Sequence, residues 1–434
     1  GDLGADRLNS PHAPPPLHMS PLILALLACR PDPHSESADI PWTNQEIPPT
    51  PEDTGSPPDP DSEPRPELEA LPIFDDTVLH QVEISLGEDA KNSLRADPYE
   101  WVEGGVTIDG EVLGSVGIRL RGKLGSFRPF DEKPKFKIDF NHYMDQHFQG
   151  LESLSLNNEV VDCSYLREPT GYAVYAAMGL PSPRVSYTTV TVDGEAYGLY
   201  VVVEVPDDNF LRDRYQEPDG RLYDGKYLYY GDRESAELVD FTRQYQDNFQ
   251  LEEGEDNDLQ DIYAVTAAID DYGASFRSRL GPLVDLPNFH RNLAVEQWIS
   301  HLDGYAMNAN NYRVYFNPWD DRAEIIPWDL DYAFLPTWQW SMSWKRPNGA
   351  LAAACWEDAD CFNDHRPYVE EILQRVDVNE ILAKMDAWTS LIETAALEDP
   401  RRVCAVTAIR PEQEALKTFV AGRPADLELF WERN

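Results

Sequence analysis

The chain has 434 residues, with 36 Lys and Arg against 78 Asp and Glu, giving a net charge of −42. That length fits one large or two ordinary domains with a sizeable core. A surface this acidic repels nucleic acid and anionic membranes, which argues against a nucleic-acid-binding function, and any polyanionic ligand must rely on metal ions and a few local cations. No run of about 20 apolar residues is present, so no membrane-spanning helix is expected.

Taken in order, the chain first offers a short apolar run over residues 21–28, the length of a signal-peptide core, leading into Cys29. Leu26-Leu27-Ala28-Cys29 resembles the end of a bacterial lipoprotein signal. The expectation is a signal over residues 1–29 and an exported chain, anchored through a lipid on Cys29 or otherwise secreted; the alternative is an ordinary apolar patch in a disordered N-terminus. Residues 30–72 are rich in Pro, Asp, Glu and Ser and contain no Lys. Such a segment cannot bury enough apolar surface to offset chain entropy and reads as a disordered spacer. The folded domain is expected over residues 73–434. Cys163, Cys355, Cys361 and Cys404 remain, an even number that permits disulfides in an exported chain. Cys355 and Cys361 are close enough to close a small loop; their alternatives are free thiols or a metal site. With no Cys-x-x-Cys present, structural zinc is not expected.

The first folded part reads as strands. Residues 78–86 alternate, with His80 interrupting the apolar face, and residues 116–121 make a second strand. A glycine-containing turn follows at residues 122–126. Residues 133–140 make a third strand, with Phe136, Ile138 and Phe140 on one face and Lys133, Lys135 and Lys137 on the other. This hairpin is the most basic patch of an acidic chain. Glycines leave backbone N–H groups free to approach an anion and Lys adds a point charge, so it can cradle a triphosphate or simply present a solvated Lys face. A helix begins near Pro169 and stops at Gly179, placing Glu168 at its start, where it can pair with a strand Lys. Residues 185–192 and 197–203 are strands joined through Asp193-Gly194, a hairpin turn signal. The second leads to Glu204 and Pro206, which suits either a hinge between lobes, with adenine near Glu204, or a plain strand end.

Residues 251–272, rich in acids, read as a solvated helical stretch. A helix then runs to Leu302, with Gly304 as its stop. Residues 312–316 and 324–326 form a hairpin. Its exit is Trp328-Asp329-Leu330-Asp331. Two acidic centres, Asp303 and Asp329, thus stand at the two ends of a hairpin that can fold them together. His301-Leu302-Asp303 with Asn308 has the H-x-D-x-x-x-x-N spacing of a kinase catalytic loop, in which the Asp orients the attacking hydroxyl and accepts its proton. Asp329 then stands where the metal-binding Asp of such a site stands. The competing reading is a solvated acidic loop and a D-x-D turn. Residues 369–376, 378–397 and 411–419 carry helical patterns. Strands first and helices after make an α+β fold with two lobes and a cleft between them.

With these residues in view, the chain resembles the CotH (spore coat protein H) kinase family. The resemblance lies in residues 119–140, 154–168, 190–204, 303–318 and 325–334, above all Asp303-Gly304-Tyr305, Asn310-Asn311-Tyr312 and Pro327-Trp328-Asp329-Leu330-Asp331. It implies an atypical protein kinase fold, secreted or at a surface, transferring phosphate from ATP to Ser or Thr of proteins with Mg²⁺ or Mn²⁺. It further implies Lys133 as the phosphate-contacting Lys, with Lys137 next in line, Asp303 as the catalytic Asp, and Asp329 as the metal ligand, aided by Asp331. The metal-binding Asn is either Asn308, at ordinary kinase spacing, or Asn311, in the Asn-Tyr pair. The ordinary kinase glycine loop and Asp-Phe-Gly are replaced, so two other readings stand beside this one: a non-catalytic surface or coat binding protein on the same fold, and another nucleotide-using transferase with Asp329-Leu330-Asp331 as a D-x-D metal site.

Overall fold

The computed structural model describes residues 65–66, 68–123, 125–225, 239–271, 273–340 and 342–432, which fall in one compact unit. The expected signal, Cys29 and nearly all of the spacer lie outside the described residues.

Seven strands build the N-terminal part: β1 (Leu79–Ser85), β2 (Val102–Ile108), β3 (Glu111–Arg121), β4 (Lys135–Asp139), β5 (Ser153–Asn157), β6 (Val185–Val192) and β7 (Glu195–Glu204). They pair in the order β1-β2-β3-β4-β5-β7-β6. The sheet closes into a barrel because β6 returns alongside β1 in parallel, Leu79 facing Tyr187 and Ile84 facing Val192. Closure removes the exposed sheet edge. The interior is filled by alternate residues such as Ile84, Ile118, Phe136, Ile138, Leu156 and Val202. His80, which breaks the apolar pattern of β1, is buried with Nδ1 2.6 Å from an Asp109 carboxylate oxygen. Strand β7 is buried on both faces: Tyr200 and Val202 enter the barrel, while Leu199, Val201 and Val203 pack outward against helices.

A second sheet has the order β11-β10-β8-β9, formed by β8 (Arg221–Gly225), β9 (Phe249–Glu253), β10 (Tyr312–Asn317) and β11 (Arg322–Pro327). The helices are α1 (Glu88–Ala96), α2 (Arg167–Ala177), α3 (Asp208–Arg214), α4 (Gln260–Asp270), α5 (Phe276–Leu280), α6 (Leu286–Ile299), α7 (Tyr305–Asn308), α8 (Ala350–Glu357), α9 (Ala359–Arg375), α10 (Val378–Glu398) and α11 (Val406–Glu432). The outer face of β7 packs with α2, α6 and α9–α11 around Trp298, which is fully buried. The fold is therefore α+β, strand-rich first and helical after. Among the described residues no helix is long and apolar enough to cross a membrane.

Two local expectations are corrected. Residues 251–272 are not one helix: β9 ends at Glu253 and α4 starts only at Gln260. The long helix α6 stops at Ile299 rather than at Gly304, because Ser300 turns left-handed (φ 49°) and its N–H closes on the carbonyls of Glu296 and Gln297. Gly304 instead opens α7 as its cap residue. Two disulfides form, Cys163–Cys404 and Cys355–Cys361.

Candidate active site

The alternation that fills the barrel also builds the site. On β3 the apolar Ile118 and Leu120 point inward, so Arg119 and Arg121 point outward; on β4, Phe136 and Ile138 point inward and Lys135 and Lys137 outward. Register aligns Arg121 with Lys135 and Arg119 with Lys137, and sets Ser155 of β5 opposite Lys137. Four cations thus stand in two rungs on one outer face. That face meets the α6–α7 loop and the end of β11 across a cleft of about 840 Å³, lined among others by Arg121, Lys137, Asp303, Asn311, Asp329 and Asp331. The loop after β3 lines it too, through Gly122, Lys123, Gly125 and Ser126. Gly125 has φ +88° and a Cβ there would stand 2.5 Å from the Tyr332 hydroxyl, so any other residue strains the loop.

The acidic side is held firmly. Asp303 accepts hydrogen bonds from three amides: Asn308 Nδ2 at 2.6 Å, Asn310 Nδ2 at 3.2 Å and Asn311 Nδ2 at 2.9 Å. Burial raises the Asp303 pKa; the amides oppose this and the charge on Asp329 adds to it. Glu296 on α6 anchors the same loop by accepting N–H bonds from Tyr305 at 2.9 Å and Ala306 at 2.8 Å. Ala309, Asn311 and Asp329 all have positive φ (47°, 53° and 47°). Non-glycine residues rarely adopt that conformation, and strain of this kind collects where side chains must be aimed.

Asp329 and Asp331 flank Leu330, which is fully buried, and Gly171 of α2 makes room for it: a Cβ there would lie 2.7 Å from Leu330 Cδ1. Between the two carboxylates sits Lys135. Its Nζ lies 3.0 Å from Asp329 Oδ1 and 3.0 Å from Asp331 Oδ2. Burial works against its charge, but Asp329 and Asp331 outweigh burial and raise its pKa. Asp329, which also has Arg121 at 3.6 Å, is held below the ordinary carboxylate range: burial pushes it up, and Lys135 and Arg121 pull it down further. Asp331 is pushed up by burial and by the charge on Asp329. Arg121 and Arg313 stack over Trp328, at 4.8 and 5.1 Å from its ring centre. The donors that face the cleft are carboxylate and amide oxygens, a set that fits a hard divalent cation such as Mg²⁺ or Mn²⁺ and not a soft one.

The structure brings Asp303, Asn308, Asn311, Asp329, Asp331 and Lys137 to this one cleft. Glu168 lies behind it on α2, fully buried, accepting from Asn157 Nδ2 at 2.7 and 2.8 Å. Burial and the charge on Asp329 raise its pKa. Two residues expected at the cleft place their side chains elsewhere. Lys133 does not reach the cleft: it is 1% exposed and its Nζ lies 2.6 Å from Asp399, between the rings of Tyr165 and Tyr200. Pro134 is the reason. Proline cannot donate to a ladder, so β4 begins after it and Lys133 is left outside the strand. The Glu204 side chain does not reach the cleft either, although the chain next to it does. Its carboxylate is buried and held by Arg184 and Arg214, each at 2.5 Å, and it is Val205 that lines the cleft. Glu204→Ala is expected to cost roughly 3–5 kcal/mol of stability by leaving the buried Arg214 without its carboxylate, while Arg184 keeps Asp213 at 2.8 Å, with nucleotide affinity of the folded protein unchanged; thermal unfolding and a nucleotide titration check both halves.

Lys135, Arg121 and Asn157 belong to the site although no motif in the sequence marks them. The cation–apolar alternation on β3 and β4, read from Lys135 onward because of Pro134, points to Arg121 and Lys135; Asn157 on β5 has no such signal.

A family model described as CotH kinase protein matches residues 118–427. The inner spore coat protein H of Bacillus subtilis (strain 168) is 24% identical over 327 residues, which covers 71% of this chain and 85% of that one. Among solved structures, the Golgi casein kinase overlaps 80% of this chain and 78% of its own at 10% identity and a TM-score of 0.31. The same kinase with Mn/ADP bound overlaps 79% and 76% at 8% identity and a TM-score of 0.30. Overlaps this loose carry neither fold nor chemistry across.

Proposed function

The chain belongs to the CotH kinase family, and on that premise we propose that it transfers the γ-phosphate of ATP to Ser or Thr hydroxyls of a protein acceptor. The observation that supports this most is the pairing of Lys135 with Asp329 and Asp331 across the cleft from Asp303. Phosphoryl transfer asks the protein mainly for positioning and charge. Asp329 and Asp331 are proposed to hold Mg²⁺ or Mn²⁺, with Asn311 or Asn308. An amide whose NH₂ is bonded to Asp303 presents only its oxygen to a cation. When bound, the ion neutralises charge on the phosphates. Lys135, not Lys133, is proposed to contact the phosphates, with Lys137, Arg121 and the 122–126 loop adding cations and backbone N–H groups around them. Glu168 acts on Lys135 only as a nearby charge, its hydrogen bonds going to Asn157.

Asp303 takes the acceptor hydroxyl's proton. Its three Asn partners fix its direction, and its raised pKa makes it a better base than an exposed aspartate. The base must be ionised to work, and a raised pKa keeps the proton on to higher pH. The acid limb of kcat is therefore expected above the ordinary aspartate value of about 3.9, with activity falling as pH drops through it. A pH–rate profile checks this, and a limb at or below that value contradicts it.

Export is supported by the two disulfides, which persist in oxidising compartments. A coat or surface location fits the name of the Bacillus subtilis relative; anchoring through a lipid on Cys29 is the finer proposal, and mass analysis of protein from membranes of the source cell tests it. The acceptor is proposed to be a protein and not nucleic acid. The test of function is intact-mass analysis after incubation with ATP and Mg²⁺, alone and with candidate acceptors. Whole-phosphate gains are expected in the parent, and neither Asp303→Asn nor Asp329→Asn should show any. Labelling that survives both substitutions overturns the assignment.

A further inference from the structure

Away from the cleft, three helices bring two cysteines and a histidine to one buried point. Cys355 lies near the end of α8, Cys361 in the first turn of α9, and His290 early in α6. They are 0%, 3% and 3% exposed, and one ligand atom from each lies within 4.8 Å of the other two. The two sulfurs are joined in this structure. His290 Nδ1 is buried without a hydrogen-bond partner, which leaves a ring nitrogen available to a ligand. The ring of His365, fully buried, stacks 5.4 Å from that of His290, and its own Nδ1 also lacks a partner. The other rings packed on His290 are Phe289 and Tyr368. Burial holds His290 neutral, its pKa lowered to about 4, and neutral imidazole is the form that binds metals.

We propose that this point is a metal site open only when the disulfide is reduced, with Cys355, Cys361 and His290 as ligands for a borderline-soft divalent ion such as Zn²⁺. A dithiol reductant gives two electrons and two protons to the sulfur–sulfur bond. That bond breaks, Cys355 and Cys361 become thiols, and the reductant leaves as its own disulfide. Ion binding then replaces the two thiol protons, which go to solvent, with two metal–sulfur bonds, while His290 donates a nitrogen lone pair. Thiolate and imidazole are the donor set zinc prefers, and a fourth, tetrahedral position falls to water. In the oxidised chain the sulfurs carry no thiolate charge and the ion does not bind. The α8–α9 junction is fastened in both states, by sulfur–sulfur in one and by metal in the other.

The experiment is a Co²⁺ titration of the full chain, oxidised and after reduction by a phosphine, followed by absorption spectroscopy. The reduced chain is expected to take up one equivalent with thiolate-to-cobalt charge-transfer bands that Zn²⁺ bleaches; the oxidised chain shows none. His290→Ala and Cys361→Ser are each expected to weaken binding by more than the roughly 10–100-fold that loss of an outer partner costs. Zinc X-ray absorption on the reduced, unsubstituted chain needs no variant, and two sulfur neighbours and at least one imidazole are expected. No bands on reduction, bands unchanged in both variants, or an all-oxygen zinc environment would each overturn the proposal.

Discussion

Lys135→Met is expected to abolish phosphate transfer in a chain that still folds. The ammonium is 1% exposed and bridges Asp329 and Asp331. Methionine fills much the same volume but carries no charge. Removing a preorganised charge from a dry site that stabilises a transition state costs about 10²–10³-fold in kcat, or roughly 3–4 kcal/mol, and the loss here is expected at or beyond that range. Folding is spared for two reasons. Asp329 keeps Arg121 at 3.6 Å and is 15% exposed. Asp331 has a pKa already pushed up by burial, so it relieves the remaining repulsion by taking a proton. Initial rates of transfer, with circular dichroism as the control for folding, check the prediction.

Lys133→Met is expected to do the reverse. Its partner Asp399 is fully buried and also accepts N–H bonds from Leu199 at 3.1 Å and Arg401 at 2.8 Å. That carboxylate ties the end of α10 to β7 of the barrel. Stranding a buried charge costs about 3–5 kcal/mol, so a marked fall in the thermal midpoint is expected while kcat of the folded protein stays near that of the parent. Burial lowers the Lys133 pKa even with Asp399 beside it, which marks the pair as an expensive one to desolvate. Lys133→Met combined with Asp399→Asn should accordingly cost less than the two single substitutions added together, the mark of coupled neighbours. A loss of activity from Lys133→Met without loss of stability would contradict this division of labour.

Much of the site is legible in the chain because its signals are local. Asp193-Gly194 places a hairpin turn wherever the rest of the barrel goes. The strings around Asp303 and Asp329 bracket a hairpin, so their convergence follows from β10 pairing with β11. What is not legible is set by partners distant in sequence. Barrel closure depends on β1 lying parallel to β6, and no local pattern encodes that. Nothing local in the chain says that the Glu204 carboxylate is taken by Arg184 and Arg214. Three lysines at one parity look equivalent, and only Pro134 hints which of them leaves the strand. The end of α6 misleads because Ser300 adopts the left-handed turn that glycine usually provides.

The most direct test of the central claim is a calorimetric titration of ATP with Mg²⁺ into the parent, Lys135→Met and Lys133→Met chains. Lys135, Asp329 and Asp331 as the nucleotide-handling centre predict binding in the parent, equal affinity in folded Lys133→Met, and loss of most affinity in Lys135→Met. No binding by the parent, or loss with Lys133→Met but not with Lys135→Met, would contradict it.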